Sequence, residues 1–183
     1  MTTKPRFQLK YEKDLATVLK DKAGSANVMA LPRFQKVVLN VGLKAGLKDP
    51  KFIDQAAQTL ERISGQKPVK TLAKKSISNF KIRQGMVVGI MVTLRGRRMY
   101  DFLDKLVSIT LPRIRDFRGL SPKSVDAGGN LAIGFREYIS FPEIRPDEIE
   151  RLHGLEVVIV TNAGQRAKGL AMFKAAGFPF RDK

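Results

Sequence analysis

The stretch from Gln84 to Arg95 constrains the fold more than any other part of the chain. Val88, Ile90, Val92 and Leu94 fall on one side of a strand, and Gly89, Met91, Thr93 and Arg95 on the other. Successive strand residues point to opposite faces, so this alternation describes a sheet that is apolar behind and polar in front. Parallel sheets are covered on both faces and read as continuous apolar runs. This pattern instead calls for an antiparallel or mixed sheet with one face packed and the other open. The apolar run Met86–Val92 is seven residues long, far short of the roughly 20 that cross a bilayer as a helix.

The remaining segments supply the cover for the packed face. Residues 7–23 read as a first helix, with Tyr11, Leu15, Val18 and Leu19 on one side and Gly24 as a stop. Lys36 to Gly42 alternates as a strand, with Val37, Leu39 and Val41 facing one way and Lys36, Val38 and Asn40 the other. Asp49-Pro50 is a helix start, an N-cap followed by Pro at N1, and Gly65 ends that helix. Further helices are expected over 97–111, from Pro146 to Gly154, and over 165–176; further strands over 68–72, 131–135 and 155–161. No linker, low-complexity tract or internal repeat interrupts the chain. The reading is one α+β domain over residues 1–183, a two-layer fold whose mainly antiparallel sheet carries helices on one face.

Charge then says what lies on the open face. Lys and Arg number 34 against 17 Asp and Glu, a net +17. A domain with that excess repels itself unless it sits against an anion such as nucleic acid, an anionic membrane or an acidic protein. The excess is concentrated: Arg62 to Tyr100 contains ten basic residues and no acid. Within it lies a loop, about Lys74 to Gly85, that combines Lys74, Lys75, Lys81 and Arg83 with Ser78, Asn79 and Phe80. Cations neutralise phosphates, amides and hydroxyls reach sugars or base edges, and an aromatic ring stacks on a base. Six acids instead cluster between Glu137 and Glu156.

Other chemistry is excluded by what is missing. Without Cys there is no disulfide, thiolate metal site or Cys nucleophile. His153 is the single histidine and has no second His or Cys to share a metal. Its place before Gly154 reads as a helix C-terminus. Neither a Walker-type nor a dinucleotide-binding glycine pattern occurs; Gly42 to Lys48 reads as a strand-exit turn, and Gly128-Gly129 as a turn. Glu143, Asp147, Glu148 and Glu150 are candidate carboxylates for an RNA-cleaving Mg²⁺ site, but three of them fall in a first helical turn, where acids are favoured structurally. The N-terminus leads into a polar helix pattern rather than an apolar signal core. No helix combines a strong apolar face with a dense cationic one, as membrane-surface binding requires. A cytoplasmic protein is expected.

The motifs Asn79-Phe80-Lys81-Ile82-Arg83-Gln84-Gly85 and Val92-Thr93-Leu94-Arg95-Gly96 resemble the central signature of the large-subunit ribosomal protein five family. So do Leu111 to Leu120, Phe135-Arg136-Glu137, Phe141-Pro142-Glu143-Ile144 and the ending Gly177-Phe178-Pro179-Phe180. The order and spacing agree along essentially the whole chain. One departure is Gly164-Gln165-Arg166-Ala167-Lys168, where many relatives open the last helix with acids.

The resemblance implies a structural ribosomal protein and no enzyme, with no cofactor, membrane or small-molecule substrate. Its implied partners are 5S ribosomal RNA, large-subunit ribosomal RNA, P-site tRNA and a small-subunit head protein. For 5S RNA it implies Asn40, Gln66 and Thr93, joined by the neighbouring cations Lys36 and Arg95. For the tRNA elbow it implies the loop residues Lys74, Lys75, Ser78, Asn79, Phe80, Lys81 and Arg83. For the intersubunit bridge it implies Arg113, Arg115, Arg118, Glu137 and Glu143.

Overall fold

A computed structural model describes residues 4–15, 27–43, 49–145 and 152–181. Its strands are β1 (Phe34–Gly42), β2 (Val69–Leu72), β3 (Val87–Leu94), β4 (Leu131–Phe135) and β5 (Leu155–Thr161). Its α-helices are α1 (Arg6–Lys10), α2 (Pro50–Ser64), α3 (Gly96–Lys105) and α4 (Arg166–Ala175). The strands form one open antiparallel sheet in the order β2-β3-β1-β5-β4, an α+β architecture. Every second residue is buried along β4 and β5, and β3 buries Ile90, Val92 and Leu94. The half-exposed opposite face follows from the alternation in the sequence. In β1 the alternation slips by one residue between Phe34 and Val37, both buried.

Contacts divide the chain into two compact units, and β1, β3, β4 and β5 contribute residues to both. The first holds Met1–Val37, Leu94–Ile133 and Val158–Lys183. Its core gathers on the Phe34 ring, with Phe7 at 5.9 Å, Tyr11 at 6.0 Å and Phe173 at 5.9 Å between centroids. The Tyr11 hydroxyl donates to the Pro32 carbonyl at 2.7 Å, so this buried phenol keeps a partner. The turn Asp126–Asn130 packs on α4. There the Thr161 hydroxyl donates to the Gly129 carbonyl at 2.9 Å, and Asn130 donates through its backbone and side chain to Asp126. Those bonds hold the Asp126 carboxyl below its usual range.

The second unit holds Val38–Thr93 and Gly134–Val157. Helix α2 starts as its sequence dictates: the Asp49 carboxylate accepts the Lys51 N–H at 3.1 Å, and Pro50 occupies the first turn. Phe52, Ala56, Leu60 and Ile63 form its buried stripe, and Gly65 ends it in the left-handed conformation, φ 64°. His153 is buried, stacked on Tyr138 at 4.2 Å and edge-on to Phe52 at 6.1 Å. Burial pushes its imidazole below the ordinary range, partly offset by a contact with the Gly154 carbonyl.

Several expected boundaries move. The α-helical part of the first helix is Arg6–Lys10, followed by a π-helical segment Tyr11–Leu15; residues 16–23 lie outside the described residues. The helix expected over 97–111 is α-helical only to Lys105 and continues as a π-helix over Leu106–Thr110, where the Leu111 N–H reaches the Leu106 carbonyl. The turn expected after Gly42 falls mostly at 44–48, outside the described residues; of the helix expected from Pro146 to Gly154, residues 146–151 lie outside them and residues 152–154 are not helical. Helix α4 starts at Arg166, its N-cap Gln165 makes no side-chain cap bond and its first turn holds no acid, as its basic opening sequence requires.

Candidate nucleic-acid interface

The open side of the second unit is built from β2, β3 and β1. Pairing of β2 with β3 sets Val69 opposite Met91 and Thr71 opposite Gly89. Directly opposed residues share a face, so these four line the face that also carries Thr93. Asn40 on β1 is half-buried, and its amide lies 3.5 Å from the Glu156 carboxylate on β5. Thr93 is half-buried, and its hydroxyl has no hydrogen-bond partner among the described residues.

Gln66 enters this unit through a different device. Gly65 turns the chain out of α2, and the Ser64 hydroxyl accepts the Gln66 N–H at 3.2 Å while donating to the Leu60 carbonyl at 2.6 Å. The Gln66 backbone is thereby pinned, while its half-buried carboxamide bonds to no described residue. Asn40, Gln66 and Thr93 thus share one unit. Lys36, half-buried on β1, and Arg95, exposed at the end of β3, belong to the other.

Gly89 departs from the sequence expectation. It is on the outer face of β3 yet buried, because Thr71 lies beside it. A Cβ there would sit 2.8 Å from the Thr71 hydroxyl oxygen, 3.1 Å from the Val41 carbonyl and 4.0 Å from the Asn40 amide oxygen. A glycine inside a strand was the available signal.

The loop from Lys74 to Gly85 is a small ordered hairpin. Ala73 and Met86 close its base at 2.8 Å, Gly85 donates back to Ala73 at 3.0 Å, and Ile77 and Ile82 exchange bonds of 2.9 and 3.1 Å. The Ser76 hydroxyl, which sequence reading did not single out, accepts the Gln84 N–H at 3.0 Å. Ser78–Phe80 makes a single 3₁₀ turn, and Lys81 leaves it at φ 53°. Lys74, Lys75, Ser78, Asn79, Phe80, Lys81 and Arg83 are all exposed, Phe80 by 63%. None of the four cations forms an ion pair among the described residues.

Of the remaining candidates, Arg113, Arg115 and Arg118 are exposed in the first unit, on the segment between Leu111 and Leu120. Leu120 is anchored there by bonds with Pro179 and Arg181 of 2.7 and 3.0 Å. Glu137 is exposed and Glu143 half-buried in the second unit, near the Phe135–Phe141 ring pair at 5.3 Å. Among the described residues no cluster of three His, Cys, Asp or Glu residues is placed to hold a metal, and Asp147, Glu148 and Glu150 lie outside them. No described helix is long and apolar enough to cross a membrane.

An open antiparallel sheet with a cationic, acid-free hairpin defines the class: an α+β protein with one open sheet face and an exposed basic loop, surfaces whose charge suits a polyanion. Residues 27–83 match the family described as ribosomal protein L5, and residues 87–180 the ribosomal L5P family C-terminus. The large ribosomal subunit protein uL5 of Roseiflexus sp. (strain RS-1) is 51% identical over 97% of this chain and 99% of its own. That of Halothermothrix orenii is 52% identical over 93% and 95%, and that of Kocuria rhizophila 50% over 97% and 94%. The chain belongs to the ribosomal protein L5 family. It is a structural, rRNA-associated constituent of the large subunit of the cytoplasmic ribosome, and not an enzyme.

Proposed function

We propose that the chain, acting as a single folded domain, binds 5S ribosomal RNA on its open sheet face and helps attach it to the large subunit in the central protuberance. The observation that carries this reading is the half-exposed face bearing Asn40 and Thr93, of which Thr93 belongs to the segment Arg62–Tyr100 with ten cations and no acid. Lys and Arg, with Lys36 and Arg95 nearest in sequence to that face, attract and neutralise phosphates. Asn40, Thr93 and Gln66 offer polar groups that fix register.

The hairpin supports a second contact, to the elbow of P-site tRNA. Its tip is held by its own hydrogen bonds, so Phe80 and the cations around it bind with little ordering cost. Arg113, Arg115, Arg118, Glu137 and Glu143 form the proposed bridge to a small-subunit head protein, for which the acids between Glu137 and Glu156 suit a basic partner. The test of the central reading is a titration of the purified protein with 5S RNA and with an unrelated folded RNA of equal length, at matched salt. Markedly tighter binding of the 5S RNA is expected. Equal binding of the two would reduce the protein to a non-specific polycation and overturn the reading.

A further inference from the structure

The structure assigns a further RNA-contacting residue, Thr71 on the edge strand β2, seated beside the bare backbone of Gly89; the footprint of the RNA thereby runs past β3 to the margin of the sheet. This rests on the proposal that the open face binds RNA. Thr71 is opposite Gly89, and two residues along Val69 is opposite Met91, so all four belong to the open face.

The Thr71 hydroxyl has no hydrogen-bond partner among the described residues, although the residue is half-buried. On the far side of Gly89 stands the Asn40 amide. The Thr71 hydroxyl and the Asn40 carboxamide therefore flank the buried, side-chain-free backbone of Gly89 across β2, β3 and β1. Any side chain at position 89 would interrupt that row, since a Cβ would meet the Thr71 oxygen at 2.8 Å and the Val41 carbonyl at 3.1 Å. Glycine weakens a strand interior, and its presence there marks close approach by another group.

Donors and acceptors in line at backbone level suit a ribose–phosphate strand, whose 2′-hydroxyl both donates and accepts. Val69 and Met91, 62% and 37% exposed, continue the strip with apolar surface for the face of a sugar or base. A basic protein partner is disfavoured by charge, because Val69, Thr71, Gly89 and Met91 all lie within the acid-free segment from Arg62 to Tyr100.

The test compares Thr71→Val, Thr71→Ser and Thr93→Val in 5S RNA titrations over a salt series. Valine keeps the volume and removes the hydroxyl; serine keeps the hydroxyl. Thr71→Val is expected to weaken binding about fivefold with an unchanged salt slope, while Thr71→Ser binds like the wild type. If Thr93→Val weakens binding and Thr71→Val does not, the footprint stops at β3 and the assignment is wrong. Equal weakening by valine and serine at position 71 also overturns it, since the hydroxyl is then not the contact. If wild type and all three variants bind 5S RNA no better than unrelated RNA, the parent reading fails with it.

Discussion

Gly169→Ala sets two effects of opposite sign against each other, and the structure decides between them. Gly169 lies inside α4, where alanine is intrinsically favoured by about 1 kcal/mol. A Cβ at that position, however, would lie 2.5 Å from the Gly129 carbonyl oxygen, 2.6 Å from its Cα and 2.9 Å from its carbonyl carbon. Ordinary contacts between such atoms are about 3.5–4.0 Å, so helix or turn must withdraw by about 1 Å. Neither is free to do so. The turn is held by the Thr161 hydroxyl on Gly129 and by Asn130 on the Thr161 N–H, both at 2.9 Å. The helix is held by Met172 and Phe173, both buried. Backbone on both sides of the clash cannot rotate away, which places the overpacking cost toward the upper part of about 1–3 kcal/mol, with the loosened Thr161 bond adding about 1 kcal/mol. The net destabilisation is about 2–3 kcal/mol, a fall in Tm of about 4–12 °C for a chain of this size. Thermal melts followed by circular dichroism read it directly, with Gly134→Ala as the comparison. Gly134 is in β4 with nothing within 4 Å of a would-be Cβ, so that change is neutral or stabilising by up to about 1 kcal/mol. A Gly169→Ala protein that melts with the wild type or above it would refute the reasoning.

The other predictions concern the hairpin, the buried histidine and the acidic patch. Phe80→Ala is expected to raise the rate at which tRNA leaves the P site of reconstituted ribosomes by an amount equivalent to about 1 kcal/mol, the low end of base–aromatic stacking; an unchanged rate would remove Phe80 from the contact. Because His153 has a lowered pKa when folded, the unfolded chain takes up the proton first. Its contribution to stability is therefore complete above about pH 6.5 and is lost as pH falls from there through the folded value. His153 is the only histidine, so denaturant melts between pH 5 and 8 should show this slope in the wild type and not in His153→Phe. Equal slopes would contradict the assignment. Glu137→Lys is expected to impair association of the two ribosomal subunits, read by sucrose-gradient sedimentation, without changing 5S RNA affinity; equal loss of both would remove the acidic patch from the bridge.

How much of this was legible in the sequence depended on the range of the interactions. Strands β3, β4 and β5 and the ends of α2 rest on local rules: alternation, an Asp-Pro start and a glycine stop. They stand where those rules put them, except that β3 starts at Val87 rather than near Gln84, because Gln84 to Met86 close the base of the hairpin. The half-exposed positions of Asn40 and Thr93 were legible for the same reason. The π-helical segments at Tyr11–Leu15 and Leu106–Thr110 were not, because an apolar stripe reports which side is buried and not whether a carbonyl meets the fourth or the fifth following N–H. The burial of Gly89 was hidden too. It depends on Thr71 arriving opposite it, and that register is fixed by pairing across the hairpin rather than by either strand alone. The order of the hairpin had a partial signal in Ile77 and Ile82, spaced symmetrically about Asn79-Phe80, which pair in the fold.

On the proposed function, the polar side of the sheet reads RNA through uncharged groups while the cations set the general attraction. The decisive measurement is 5S RNA affinity for Asn40→Ala and Thr93→Val across a series of salt concentrations, with Lys36→Gln alongside. Each uncharged-group variant should lose about 1–3 kcal/mol at every salt with the slope of the wild type, whereas Lys36→Gln should flatten the slope by up to about one unit. Wild-type affinity in both Asn40→Ala and Thr93→Val would contradict it.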